Sequence, residues 1–305
     1  MGSLETETSK AGALQHVDIL GKVKSLLTGN KLDVASRFEL ERQAFTGTMS
    51  KFRVAREFKT GKRVGLKFLD EEKTEAFESR FKGLNKPSEG EIGLQIKHPH
   101  VVETYEYGLT TQRQPYILMQ YIEGPGLSTL INDRDPRLEE VAVSLIGQMT
   151  EAIVAVHEAG FIHRDICPRN FICDPEVQTA TLIDFGLTVP NTPPFRQPGN
   201  RTGTPIYMAP EIVRRRSTDQ RVDIFALGVT AYRLLTFEHP WPGEDITGKA
   251  ALAHDTREPV DILEHLPSLN PYLADAIRSS LSANPDDRPD TAKRFLAMVR
   301  RAERE

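Results

Sequence analysis

The period of the apolar positions changes along this chain, and the changes mark its organisation. Between Leu14 and Leu27 apolar residues recur near helical spacing (Leu14, Val17, Leu20, Val23, Leu27), which predicts an amphipathic helix ahead of the main fold. From Phe38 to Leu69 the pattern shifts to short β-rich runs. Phe52–Glu57 and Val64–Leu69 flank the turn Lys59-Thr60-Gly61-Lys62 and read as a hairpin. Residues 71–97 read as helical, with an interruption at Lys86-Pro87-Ser88, since proline ends or kinks a helix. Val101–Tyr107 and Tyr116–Ile122 read as two further strands, giving a small, mostly antiparallel sheet with one helix.

After Gly124-Pro125-Gly126 the chain turns predominantly helical. Leu138–Ala159 is a long apolar-periodic stretch, and Val222–Thr236 is apolar almost all round, as a buried helix requires. Two short β-like runs, Phe171–Asp174 and Ala180–Ile183, lie between them. A β-rich first third followed by a helical remainder predicts an α+β chain of two packed lobes with a cleft between.

Composition narrows the picture by exclusion. A content of 39% hydrophobic residues supplies a sizeable core without metal or disulfide staples. Lys and Arg total 39 against 43 Asp and Glu, a formal net charge of −4. That balance gives no electrostatic reason to expect nucleic acid or an anionic membrane as partner. No apolar run approaches the roughly 18 residues a membrane span needs. The two cysteines, Cys167 and Cys173, make neither a disulfide framework nor a zinc site, so a cytoplasmic setting is expected.

The chemistry is written in three segments. They are His163-Arg164-Asp165-Ile166-Cys167-Pro168-Arg169-Asn170, Asp184-Phe185-Gly186, and Gly203-Thr204-Pro205-Ile206-Tyr207-Met208-Ala209-Pro210-Glu211. In order and spacing they resemble the catalytic loop, the metal-binding segment and the Ala-Pro-Glu segment of eukaryotic-type protein kinases. Val64-Gly65-Leu66-Lys67 resembles the family's Val-Ala-Ile-Lys. The resemblance runs from about Phe38 to about Arg300 and implies the bilobal protein kinase fold: a β-rich N-lobe over 37–122 and a larger, mostly helical C-lobe over 123–305, with 1–36 as an extension. The short inserts and unusual catalytic loop resemble bacterial members.

The resemblance also implies roles. Lys67 would hold the α- and β-phosphates of ATP, paired with a helical glutamate before the His98-Pro99 turn; Glu89 is favoured and Glu91 competes. Asp165 would accept the proton of, or orient, the attacking hydroxyl. Asn170 and Asp184 would supply hard oxygen ligands for Mg²⁺. Ile117–Ile122 would form the strand into the hinge, with Met119 behind the adenine and Gln120 to Ile122 offering backbone hydrogen bonds. Gly47 and Val54 would cover the nucleotide. Asp223 would brace the catalytic loop, and Arg288 would pair with Glu211, because a buried charge needs a partner.

Two departures stand out. The glycine-rich pattern Gly-x-Gly-x-x-Gly-x-Val falls on Gly47 to Val54, where Met49 and Phe52 replace the second and third glycines. Weaker nucleotide affinity is expected, since a side chain crowds the close backbone approach. Second, the lysine that serine/threonine kinases carry two residues after the catalytic aspartate is Cys167 here. Arg169 either replaces the missing cation or is a surface arginine. Gly203-Thr204-Pro205 resembles the serine/threonine class, whose threonine contacts the catalytic aspartate and lysine. Arg164 suggests control by phosphate on the activation segment, with Thr192 and Thr202 as candidates.

The function implied is transfer of the γ-phosphate of Mg-ATP to serine or threonine hydroxyls of protein substrates, with a regulatory partner as one source of input. The alternative is a pseudokinase, a nucleotide-binding scaffold or allosteric partner, motivated by Met49, Phe52 and Cys167. A small-molecule phosphotransferase would lack the arginine before Asp165 and the Gly203–Glu211 segment.

Overall fold

The computed structural model describes residues 31–46, 50–199, 202–243 and 250–304. The helix expected over Leu14–Leu27, and Gly47 and Met49 of the eroded loop, lie outside these residues.

A four-residue helix, α1 (Val34–Arg37), leads into a five-stranded sheet. Its strands are β1 (Phe38–Thr46), β2 (Ser50–Glu57), β3 (Arg63–Leu69), β4 (Thr104–Leu109) and β5 (Pro115–Gln120), in the order β1-β2-β3-β5-β4 with every pair antiparallel. The expected β2–β3 hairpin closes where Glu57 and Lys62 join by a 2.9 Å backbone hydrogen bond, with Gly61 left-handed at φ +69°. Register pairs Val54 with Gly65 and Gly65 with Met119, and one row on pairs Phe52 with Lys67 and Lys67 with Ile117. Because side chains alternate along a strand, these six residues share one face. Ala55, Val64, Leu66 and Leu118 fill the other, in a small outer core with Leu32, Phe38 and Tyr116.

Two strand ends differ from expectation. β4 begins at Thr104, not Val101: Val101 instead bonds back to His98 and bridges Leu182 in the second lobe. Burial of Val101 and Val102 against that lobe overrides their β propensity. β5 stops at Gln120 instead of Ile122.

The stretch over 71–97 splits as the proline predicts, into α2 (Glu71–Glu78), a 3₁₀ turn at Ser79–Phe81 and α3 (Glu89–Gln95). Ser88 caps α3 in a reciprocal box with Glu91. Gly90 and Gly93 present no side chain toward Tyr107 and Thr104, so α3 lies directly on β4.

The second lobe is built on α4 (Leu127–Asn132), α5 (Leu138–Glu158), α6 (Pro210–Val213), α7 (Arg221–Thr236), α8 (Ile262–His265), α9 (Pro271–Ser280) and α10 (Ala292–Ala302). α5 packs on α7 and α10, and α9 packs on both α7 and α10. Leu145, Ile146, Met149 and Ile153 of α5 and Ile224, Phe225, Leu227 and Tyr232 of α7 are fully buried. Among the described residues no helix is long and apolar enough to cross a membrane.

Candidate active site

Two short ribbons frame the cleft side of this lobe. β6 (Phe161–Ile162) pairs with β9 (Val189–Pro190), and β7 (Phe171–Cys173) pairs with β8 (Ala180–Leu182). The loop 163–170 and the turn at Asp184 hang from their ends, so both are fixed by strand pairing.

Asp223, fully buried in the first turn of α7, holds that loop from beneath. Its Oδ2 accepts the His163 N–H at 2.8 Å and His157 Nε2 at 2.9 Å, and its Oδ1 accepts the Arg164 N–H at 2.8 Å. Burial pushes the Asp223 carboxyl up, but His157 and the loop amides outweigh it and keep it below the usual carboxylate range. The bracing expected of Asp223 is present. The share taken by His157 had no motif to announce it.

Held this way, Arg164 takes a left-handed φ of +68°. Its guanidinium is buried and donates from Nη2 to the Phe195 carbonyl (3.1 Å) and the Thr218 hydroxyl (2.8 Å). Gly203 crosses the loop so closely that a Cβ there would sit 2.7 Å from the Arg164 carbonyl, and its φ is +123°. Only glycine meets both demands.

Thr204, next in the chain, is the centre of the polar network. Its N–H and hydroxyl donate to Asp165 Oδ1 at 2.8 and 2.7 Å. The same hydroxyl accepts from Arg169 Nη2 at 2.8 Å, and the Cys167 sulfur lies 3.6 Å away. Asn170 Nδ2 donates to Asp165 Oδ2 (3.0 Å) and to the Asp165 carbonyl (2.6 Å). Both oxygens of Asp165 are thus oriented. The amide oxygen of Asn170 is the atom of that side chain suited to a hard cation. Cys167 is fully buried, and burial pushes its thiol up, which opposes the thiolate a redox role needs.

Across the cleft, Lys67 on β3 forms an ion pair with Glu89, the first residue of α3, and its Nζ lies 3.0 Å from Asp184 Oδ1. Glu91 is occupied in the cap, where its Oε2 accepts the Ser88 N–H at 2.6 Å. The choice between the two glutamates falls to Glu89. Burial lowers the lysine's affinity for its proton, but Asp184 and Glu89 more than offset this and Lys67 stays charged. Burial pushes Glu89 up, with Lys67 opposing; at Asp184 the ammonium and the Gly186 N–H win against burial and hold the carboxyl low. Two carboxylates therefore share one ammonium; of these the Asp184 carboxylate, with the Asn170 amide oxygen, offers the hard oxygen donors that suit a divalent cation. Phe185 turns the other way, into the core, with its ring 5.7 Å from that of His163.

Val54 is fully buried on β2, and Met119 is buried on β5 on the same face. Gln120 gives its N–H to the Glu103 carbonyl at 2.8 Å, so that group is not free for a base. Ile122, just past the strand, is half-buried against the main core. Further down, Arg288 meets Glu211 through two hydrogen bonds of 2.8 and 2.9 Å, both side chains buried, with its guanidinium 4.9 Å above the Phe225 ring. Two histidines that the motifs did not point to steady the segment before it: His239 Nε2 donates to the Ile206 carbonyl and His254 Nδ1 to that of Met208, each at 2.8 Å.

The sequence that builds this site is similar to those of known proteins. The family described as "Protein kinase domain" matches residues 38–298, and the chain belongs to it. Serine/threonine-protein kinase pkn3 of Myxococcus xanthus is 30% identical over 287 residues, which cover 89% of this chain and 51% of that protein. Serine/threonine-protein kinase PknB is 27% identical in Mycobacterium leprae and 28% in Mycobacterium tuberculosis, over 87% of this chain and 42% of each relative. The chain spans about half or less of the length of these curated relatives.

Proposed function

We propose that this chain is an ATP-dependent protein kinase that transfers the γ-phosphate of Mg-ATP to serine or threonine hydroxyls of protein substrates. One observation carries the reading. Lys67 is paired with Glu89 while touching Asp184, and opposite them Asp165 is oriented by Thr204 and Asn170.

Phosphoryl transfer requires positioning and charge neutralisation more than covalent chemistry. Lys67, held charged by its carboxylate neighbours, fixes the phosphate tail. Asp184 and Asn170 would hold Mg²⁺, which neutralises charge on the phosphate oxygens. Asp165 orients the acceptor hydroxyl and takes its proton, with both carboxylate oxygens pre-set by hydrogen bonds. Arg169, tied to the same Thr204 hydroxyl, supplies the cation that Cys167 does not. The base would lie between Val54 and the hinge, against Met119. With the Gln120 N–H already used, the base would draw on the backbone groups from the Gln120 carbonyl to Ile122.

The serine/threonine preference rests on Thr204, and the relatives named above are called serine/threonine kinases. The catalytic unit is taken as 37–305, with its lobes meeting at 122/123, a cytoplasmic location, no nucleic-acid partner and input from a regulatory partner. A scaffold without activity would leave unexplained why Glu89 and Asp184 both meet Lys67 while Asn170 and Thr204 orient Asp165. The test is incubation with γ-labelled ATP, magnesium and a generic acceptor protein, followed by identification of the labelled residue. Phosphoserine or phosphothreonine is expected; phosphotyrosine alone would contradict the specificity, and no label in folded protein the activity.

A further inference from the structure

Two departures from the family pattern meet in space. Phe52 stands where the pattern has its third glycine, and Gly65 stands where Val-Ala-Ile-Lys has alanine. They lie on neighbouring strands one row apart, on the face that also carries Val54, Lys67 and Met119. The Phe52 ring reaches back across that row. A Cβ placed on Gly65 would sit 2.6 Å from both Cε2 and Cζ of Phe52, and 3.1 Å from Cγ of Met119. Real Cβ atoms do not approach carbon so closely, since non-bonded carbons pack at about 3.5–4.0 Å. The ring therefore occupies volume that an alanine at 65 would deny it. The side chain missing from one strand makes room for the one added to the other.

The place it fills is the strip over Gly65 beside Met119, one row from Lys67. If this cleft is the nucleotide site, as proposed above, the base must cross that strip. A purine cannot lie on Gly65 while the ring does, because no gap remains between ring and backbone. Phe52 is half-buried and packs on the main core, with Val54 fully covered beside it. Meanwhile the Lys67, Glu89 and Asp184 side chains are already assembled with this ring in place.

From this we infer that Phe52 competes with the nucleotide base for the space over Gly65, so that ATP binds only when the ring swings out. Phe52 and Gly65 together set nucleotide affinity while leaving the phosphate-holding residues pre-formed. A ring-out state populated at about 10% or less weakens apparent affinity about tenfold or more, because only the open fraction binds.

The experiment measures equilibrium affinity for Mg-ATP and for magnesium tripolyphosphate, which has no base, in the full chain, Phe52→Ala and Gly65→Ala, each checked for cooperative thermal unfolding. Phe52→Ala is expected to bind Mg-ATP about tenfold or more tightly, with tripolyphosphate affinity unchanged. Gly65→Ala, whose new methyl expels the ring, is expected to tighten Mg-ATP as well, and it carries the test alone if Phe52→Ala does not fold. Weaker or unchanged Mg-ATP binding in the folded variants would overturn the inference; weaker binding would make Phe52 a stacking platform for the base. No binding of nucleotide by any of the three proteins would instead remove the nucleotide-site reading, and this inference with it.

Discussion

Arg169 donates to the Thr204 hydroxyl at 2.8 Å, and that hydroxyl donates to Asp165 at 2.7 Å, so guanidinium and carboxylate are joined through a single oxygen. A cation four residues after Asp165 thereby reaches the threonine that, in the serine/threonine class, contacts a lysine two residues after it. Arg169→Ala is expected to lower kcat by about 10²-fold, the scale for losing one pre-set charge-stabilising donor. Cys167→Lys in the Arg169→Ala background should restore much of the loss. Steady-state kinetics on a fixed acceptor peptide checks both; an active Arg169→Ala enzyme would make this a surface arginine after all.

Glu89 and Glu91, two residues apart, do different work. Glu89 pairs with Lys67, whereas Glu91 closes the cap of α3 with Ser88. Glu89→Gln is expected to cut phosphotransfer by about 10²-fold with little change in thermal midpoint. Glu91→Ala should destabilise by about 0.5–2 kcal/mol, the range for a lost cap, and leave the rate within about threefold. Parallel rate and urea-unfolding measurements separate the two.

Much of this site could be read in the sequence, because motif spacing fixes backbone position. Lys67 meets Asp184 and Asn170 meets Asp165, Asp223 holds the loop at Arg164, and Arg288 pairs with Glu211. What escaped depends on side-chain direction and on contacts distant in sequence. Phe52 could be flagged as a lost glycine. That its ring lies over Gly65 follows only from the β2–β3 register. His157 sits 66 residues from Asp223 and carries no motif. Val101 and Val102 looked like strand until the second lobe claimed them.

The Arg288–Glu211 pair ties α6 to the turn before α10 with both side chains out of water. Arg288→Ala leaves Glu211 buried and unpaired, so a loss of about 3–5 kcal/mol is expected. Replacing both residues with apolar side chains of similar size should cost clearly less. Urea denaturation of the single and double variants decides.

His239 is held neutral: burial is the main cause, and neighbouring His254 and Arg233 add to it, bringing its pKa down to about 4. The unfolded histidine, titrating near 6.5, binds a proton that the folded one refuses. Stability is therefore full above about pH 6.5 and declines as pH falls toward 4, by up to about 3 kcal/mol for this group. His239→Gln, which can still donate to the Ile206 carbonyl but does not titrate, should flatten that part of the curve. Unfolding free energies between pH 7 and 4 test it; identical slopes would contradict the assignment.

In the function proposed above, Asp184, drawn to Lys67 and held low by it, completes the phosphotransfer site. The most direct measurement compares phosphate transfer from labelled Mg-ATP to a protein acceptor by the natural chain and by Asp184→Ala, both shown to be folded. Transfer by the natural chain is expected, with a loss of at least about 10²-fold in the variant. Equal transfer by both would contradict it, and so would a folded natural chain that transfers nothing.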